Sequence, residues 1–118
     1  MNRFAEGSVI AFLLALAGCG VCSEEVIGSA RSRDGVLTAT WFVKDCGATT
    51  DFSTGVSVHR SDSTFKDDGD IVFVVKGRGS LSLLWDGPRS LRIECGGCSR
   101  QNVFRRVTSL GDVDISYK

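Results

Sequence analysis

The chain has 118 residues, with 14 Lys and Arg balanced by 14 Asp and Glu, one His and five Cys. A formally neutral chain whose only basic run is the short stretch over residues 100–106 argues against nucleic acid as a partner, because phosphate-backbone binding is dominated by Lys and Arg. That stretch reads as a solvated strand face.

Residues 1–8 set Arg3 and the α-amino group against Glu6, and nine apolar residues then run unbroken over 9–17. A spanning helix needs about 20 apolar residues, whereas a secretory h-region needs about 7 to 15, so the run reads as an export signal. It closes on Leu16, Ala17, Gly18 and Cys19. These four residues resemble the lipobox of bacterial lipoproteins, a leucine, two small residues and an obligatory cysteine. The resemblance implies cleavage before Cys19, a thioether-linked diacylglycerol on its thiol, and acylation of the new amino terminus by a fatty acid such as palmitate. Each buried methylene adds about 0.8 kcal/mol and one chain holds only marginally, so several chains on one cysteine give a lasting anchor. The expected partner is therefore the membrane, through covalent lipid. Gly20 stands where the family commonly carries an inner-membrane retention aspartate, which points to the outer membrane, facing the periplasm. The alternative is an ordinary secretory signal cut by the general signal peptidase, since Ala15 and Ala17 also form a small-residue cleavage pattern.

Removing residues 1–18 leaves 100 residues and 13 charges of each sign, enough for one domain with its own core. Residues 19–30 read as a lipidated tether and 31–118 as a β-rich exported domain. Leu37, Ala39, Trp41 and Val43 share one face of a first strand, opened by the turn Asp34-Gly35. Phe52, Val56 and Val58 face the same core from a second strand, with Ser53, Ser57 and His59 outward. Residues 60–70 are polar and read as a loop. The apolar run over 71–75 predicts a core strand. Leu81, Leu83 and Trp85 lead into the turn Asp86-Gly87-Pro88-Arg89, and Leu91, Ile93 and Cys95 lead out on one face, a hairpin. Residues 103–108 form a weaker strand, and Val113, Ile115 and Tyr117 alternate with Asp112, Asp114 and Ser116 in a last one. About seven short strands predict an all-β fold, a single small sandwich or barrel-like domain. Residues 32–39 also resemble the opening of a β-propeller blade, but 100 residues without a repeat cannot supply several blades.

With Cys19 taken by lipid, Cys22, Cys46, Cys95 and Cys98 remain in an oxidising compartment, where disulfides are expected. Three complete pairings are open. A bridge from Cys46 to Cys95 or Cys98 would close about 50 residues and contribute roughly 4 kcal/mol. Cys22 would stay unpaired or join the remaining thiol. Cys95-Gly96-Gly97-Cys98 also fits a redox dithiol, which calls for a helix opening at the first cysteine. No strand-then-helix pattern follows it, and Gly96-Gly97 reads as a turn. A zinc site would need a second closely spaced pair, so no metal or cofactor is expected.

His59 shares a strand face with Ser57, the pairing a hydrolase would use, but no Gly-x-Ser-x-Gly elbow occurs. Asp67, Asp68 and Asp70 crowd a turn without the spaced acids of a calcium loop. Asp45-Cys46-Gly47-Ala48-Thr49-Thr50 is the most distinctive stretch, and it resembles a motif of small uncharacterised bacterial lipoproteins and exported proteins. The resemblance implies kinship over residues 34–58 and no particular activity. Physically, Gly47 permits a tight turn and the threonines can satisfy loop backbone groups, which makes Gly47, Ala48, Thr49, Thr50 and Asp51 a candidate binding loop. The functional expectation is a non-enzymatic envelope protein that binds another envelope macromolecule or serves structure. Two alternatives stay open: an inhibitor or immunity-type lipoprotein acting on a hydrolase or toxin through residues 47–51 or 60–70, and a thiol oxidoreductase using Cys95 and Cys98.

Overall fold

Extended backbone dominates residues 22–47, 52–66 and 70–118, the part of the chain that this computed structural model describes. Nine strands follow in chain order: β1 (Ser23–Arg31), β2 (Leu37–Asp45), β3 (Ser53–Arg60), β4 (Ile71–Lys76), β5 (Ser80–Gly87), β6 (Ser90–Gly96), β7 (Val103–Arg106), β8 (Ser109–Leu110) and β9 (Val113–Tyr117). A 3-10 turn, Arg100–Asn102, lies between β6 and β7. They build an all-β sandwich from a five-stranded sheet, β1-β2-β3-β4-β7, and a four-stranded sheet, β5-β6-β9-β8. The count is nine rather than seven because β1 and the short β8 carry almost no apolar alternation.

The core lies between the sheets. Ala39, Val56, Val58, Phe73 and Val75 meet Leu81, Trp85, Leu91, Ile93, Val113 and Ile115, all buried. Each such side chain contributes about 1.5–3 kcal/mol relative to exposure. Cross-strand register explains the selection: Ala39 lies opposite Val58, Trp41 opposite Val56, and Val56 opposite Phe73. The expected hairpin is present, with Leu81 opposite Cys95, Leu83 opposite Ile93 and Trp85 opposite Leu91 around a turn at Pro88 and Arg89. The run over 71–75 forms β4, flanked by β3 and β7. The strand expected over 103–108 stops at Arg106 and its remainder leads into β8.

Three expectations need correction. The tether expected over 19–30 does not extend that far: residues 23–31 form β1, paired with β2 from Ser23 opposite Asp45 to Arg31 opposite Thr38. Its residues from Ser23 to Ile27 are exposed, and a bulge between Val26 and Gly28 breaks the period of two. Main-chain pairing along one edge therefore holds a strand that has no buried face to announce it. Ser57, expected outward, is 2% exposed. The loop after β3 folds back so that Phe65 sits 5.0 Å from the Phe42 ring and 6.4 Å from His59, and it covers the outer face of the sheet. Phe42 in turn lies over Gly55, where an added Cβ would come within 2.6 Å of its Cζ. Phe52, expected in the core, precedes the first residue of β3 and stays 39% exposed, with the Arg78 guanidinium 4.6 Å above its ring.

The strand directions give the sandwich two unlike ends. One gathers Cys22, Cys46, Gly77, Cys95, Cys98 and Lys118, and is called the bridge end below. The other gathers the turns at 32–36, 88–89 and 111–112, and is called the turn end.

Candidate functional site

At the bridge end the β1–β2 register sets Ser23 opposite Asp45, which brings the flanking Cys22 and Cys46 together in a disulfide across a separation of 24 residues. Cys95 bridges Cys98, three residues on, and a positive φ of 76° at Gly97 turns the chain between them. Cys46 and the 95–98 pair belong to different sheets, so the long loop closure expected between them is not the one formed, and Cys22 is paired. Cys95 is the penultimate residue of β6 and is half-buried against the core, and the 3-10 turn begins only at Arg100. The pair therefore spans a strand-to-turn connection instead of opening a helix.

This second bridge forms part of the wall of a cleft of about 500 Å³ between β7 and the paired ends of β6 and β9. Phe73, Ile93 and Val103 line its apolar depth, and Arg100, Arg106, Tyr117 and Lys118 complete it. A bulge aims the arginine. Arg105 pairs with Val74 and Val103 with Val75, so Phe104 is an extra residue, 65% exposed. With that residue looped out, Val103 and Arg106 share the inner face although three positions separate them. Arg105 takes the outer face and donates from Nε to the Ile71 carbonyl at 2.6 Å.

Tyr117 closes the cleft, reaching it from β9 because that strand runs parallel to β6 with Tyr117 beside Ile93. Its hydroxyl donates to the Val107 carbonyl at 2.6 Å, with the Val72 carbonyl 3.2 Å away. Burial pushes the phenol up to about 12, against the opposing effects of Arg106 and the Val107 bond. The group is therefore neutral at physiological pH. The Arg106 guanidinium stacks 4.5 Å over the Tyr117 ring and the Phe73 ring lies 5.5 Å from it.

Charge is distributed unevenly. Arg60 pairs with Asp62, Arg78 with Glu25, Arg89 with Asp34 and Asp112, and Arg92 with Asp86 and Glu94. Arg100, Arg106 and Lys118 have no side-chain carboxylate partner among the described residues, and none of the cleft's lining residues is acidic.

The other expected sites come out differently. Cys19 and Ala48, Thr49, Thr50 and Asp51 lie outside the described residues, as do Asp67 and Asp68. Gly47 has a φ of 126°, and its N–H donates to the Asp45 carboxylate at 3.1 Å. His59 Nδ1–H donates to the Arg60 carbonyl at 2.9 Å, which leaves Nε2 to accept from the Thr40 hydroxyl at 2.9 Å. The imidazole is thus held by a carbonyl and a hydroxyl, with no carboxylate behind it, and the buried Ser57 hydroxyl has no partner among the described residues. Among those residues no three His, Cys, Asp or Glu side chains gather to hold a metal, and no helix is long and apolar enough to cross a membrane.

Sequence reasoning missed the cleft. Its signal is the pair Val103 and Arg106, which only a bulge brings together, and a strand pairing, β6 with β9, that no local pattern announces. The chain matches no protein-family model, no curated protein and no solved structure.

Proposed function

We propose that the chain is an exported bacterial lipoprotein, held on the outer membrane through lipid on Cys19, and that its β-sandwich is a non-enzymatic binding module of the cell envelope. The observation that carries the binding reading is the cleft: an apolar interior of about 500 Å³ rimmed by cations without acidic partners, in the size range of ligand sites. Two disulfides support export, because such bonds persist in oxidising compartments. Cys22 follows Cys19 by three positions, a reach of at most about 11 Å, so an anchored domain would carry its bridge end close to the lipid headgroups.

Two measurements test this. Fatty-acid labelling in the host is expected in the wild type and lost in Cys19→Ser, and equal label in both ends the anchor reading. Capture of envelope components on the purified protein is expected to depend on the cleft, so that Arg100→Glu with Arg106→Glu abolishes it. Capture unaffected by that double change moves the binding surface elsewhere, and a single stoichiometric hydrolase would redefine the module as an inhibitor.

A second reading is favoured by one feature, the position of the Cys95–Cys98 bridge in the cleft wall: a thiol oxidoreductase acting through these two residues. Its signature is reduction of insulin disulfides that disappears in Cys95→Ser.

A further inference from the structure

We infer that the cleft between β7 and β9 takes an amphipathic anion, a molecule with an apolar body of roughly ten carbon atoms and a single carboxylate or phosphate head. The inference deepens the reading of the cleft as a binding site and rests on it.

The argument begins with charge. Arg60, Arg78, Arg89 and Arg92 are paired with acids of this chain, and Arg31 and Arg105 donate to its carbonyls. The cleft instead collects two arginines and a lysine with no side-chain acid among its lining residues. Cations next to low-dielectric walls repel one another, and an incoming anion relieves that repulsion while gaining charge-assisted hydrogen bonds. No phenolate or thiolate competes with it, because burial keeps Tyr117 protonated and both sulfurs are tied in a disulfide.

The depth of the cleft sets the other half of the ligand. Phe73, Ile93 and Val103 have no polar side-chain group to offer, and the disulfide adds a polarizable apolar surface. An inorganic anion would use the rim and leave these residues wet. An uncharged hydrocarbon would use the depth and leave the cations as they were. Only a molecule carrying both parts uses the whole lining.

The geometry also divides the roles of the two arginines. Arg106 is oriented by its stacking on the Tyr117 ring, so its guanidinium has less freedom to lose on binding. Arg100 sits on the exposed 3-10 turn, which has no buried residue.

Titration calorimetry of the purified protein with decanoate, decyl phosphate, decanol, decyltrimethylammonium and inorganic phosphate decides the matter. Decanoate and decyl phosphate are expected to saturate one site, with decanol, inorganic phosphate and the cationic amphiphile at least about tenfold weaker, the scale of one hydrogen bond to a charged group. Arg100→Gln and Arg106→Gln are each expected to weaken decanoate by about tenfold with circular dichroism unchanged. The first changes an exposed side chain on a turn with no buried residue, so it reports on binding even if the second disturbs Tyr117. Equal affinity for decanol and decanoate overturns the anion while leaving the cleft a binding site. Decanoate binding untouched by either substitution overturns the location, and absence of binding by all five probes overturns the ligand class, whatever envelope capture shows.

Discussion

The two ends of the sandwich are held by different means. At the turn end the sheets are joined by side chains: Arg89 reaches Asp34 at 3.3 Å on one sheet and Asp112 at 3.5 Å on the other, and Trp85 Nε1–H donates to the Ala30 carbonyl at 2.9 Å. Ser32 supports this by donating to Asp34 at 2.7 Å. The Arg89 charge is neutralised from both sheets. At the bridge end the sheets carry one disulfide each, and the cations Arg100, Arg106 and Lys118 are left without acids. The ion pairs of the turn end span the two sheets, whereas each disulfide of the bridge end ties segments of a single sheet and leaves the space between the sheets to the cleft. The bridge end is free to present its cations outward because its integrity does not depend on pairing them.

The comparison is broken most severely by removing the longer bridge. Cys22→Ser with Cys46→Ser opens a loop with a sequence separation of 24 and is expected to cost about 3 kcal/mol, read from the midpoint of urea unfolding. Removal of Cys95 and Cys98, only three residues apart, is expected to cost about half as much. Equal costs would mean that the second bridge secures more than its own turn.

Next in size is Tyr117→Phe, which leaves the buried end of a 2.6 Å hydrogen bond unmet and is expected to cost about 1–2 kcal/mol. The same residue gives the bridge end an alkaline limit. Its folded pKa is raised to about 12 from 10.0, so the folded state holds the proton more tightly, and stability is complete below pH 10 and falls between pH 10 and 12. In the phenylalanine variant this part of the alkaline loss is expected to vanish; an unchanged profile assigns the loss to other groups.

The smallest effects belong to the turn end. Arg89→Ala removes two partly exposed ion pairs and is expected to cost under about 1 kcal/mol, with a difference from wild type that shrinks in high salt. Asp34 is held below the usual carboxylate value of 3.8, first by the Ser32 hydroxyl, then by the Val36 N–H and Arg89. A lowered folded pKa contributes stability above pH 4 that is lost as pH falls through the folded value, and Asp34→Asn should flatten that acid limb. A cost for Arg89→Ala rivalling the disulfide pair would collapse the distinction between the ends.

How far the sequence reached follows from where each element finds its partners. Leu81, Leu83 and Trp85 pair with Cys95, Ile93 and Leu91 across a short turn, and each has one buried face, so period and turn chemistry agree. Val113, Ile115 and Tyr117 alternate for the same reason. β1 escaped because its partner supplies main-chain bonds and no buried face. Ser57 was misplaced because Phe65, on a loop without periodicity, covers its side of the sheet. The cleft was illegible for a third reason: the Phe104 bulge shifts Arg106 onto the face of Val103, against the period of two. The Cys22–Cys46 pair lay within reach of local reasoning only once β1 was known to be a strand.

The order of the strands also has a consequence in time. Most neighbouring pairs join strands consecutive in the chain, but β4 with β7 and β6 with β9 do not. Closing the longer loops costs more chain entropy, so these two pairings are the ones expected to form after the β1–β4 meander and the β5–β6 hairpin. They are also the pairings that build the cleft walls. In the native ensemble the same segments should be the first to open, with amide exchange fastest along β7, which has three register pairs to β4. A ligand in the cleft would recognise only the finished fold, and its binding free energy would fall on the contacts that assemble last and fray first.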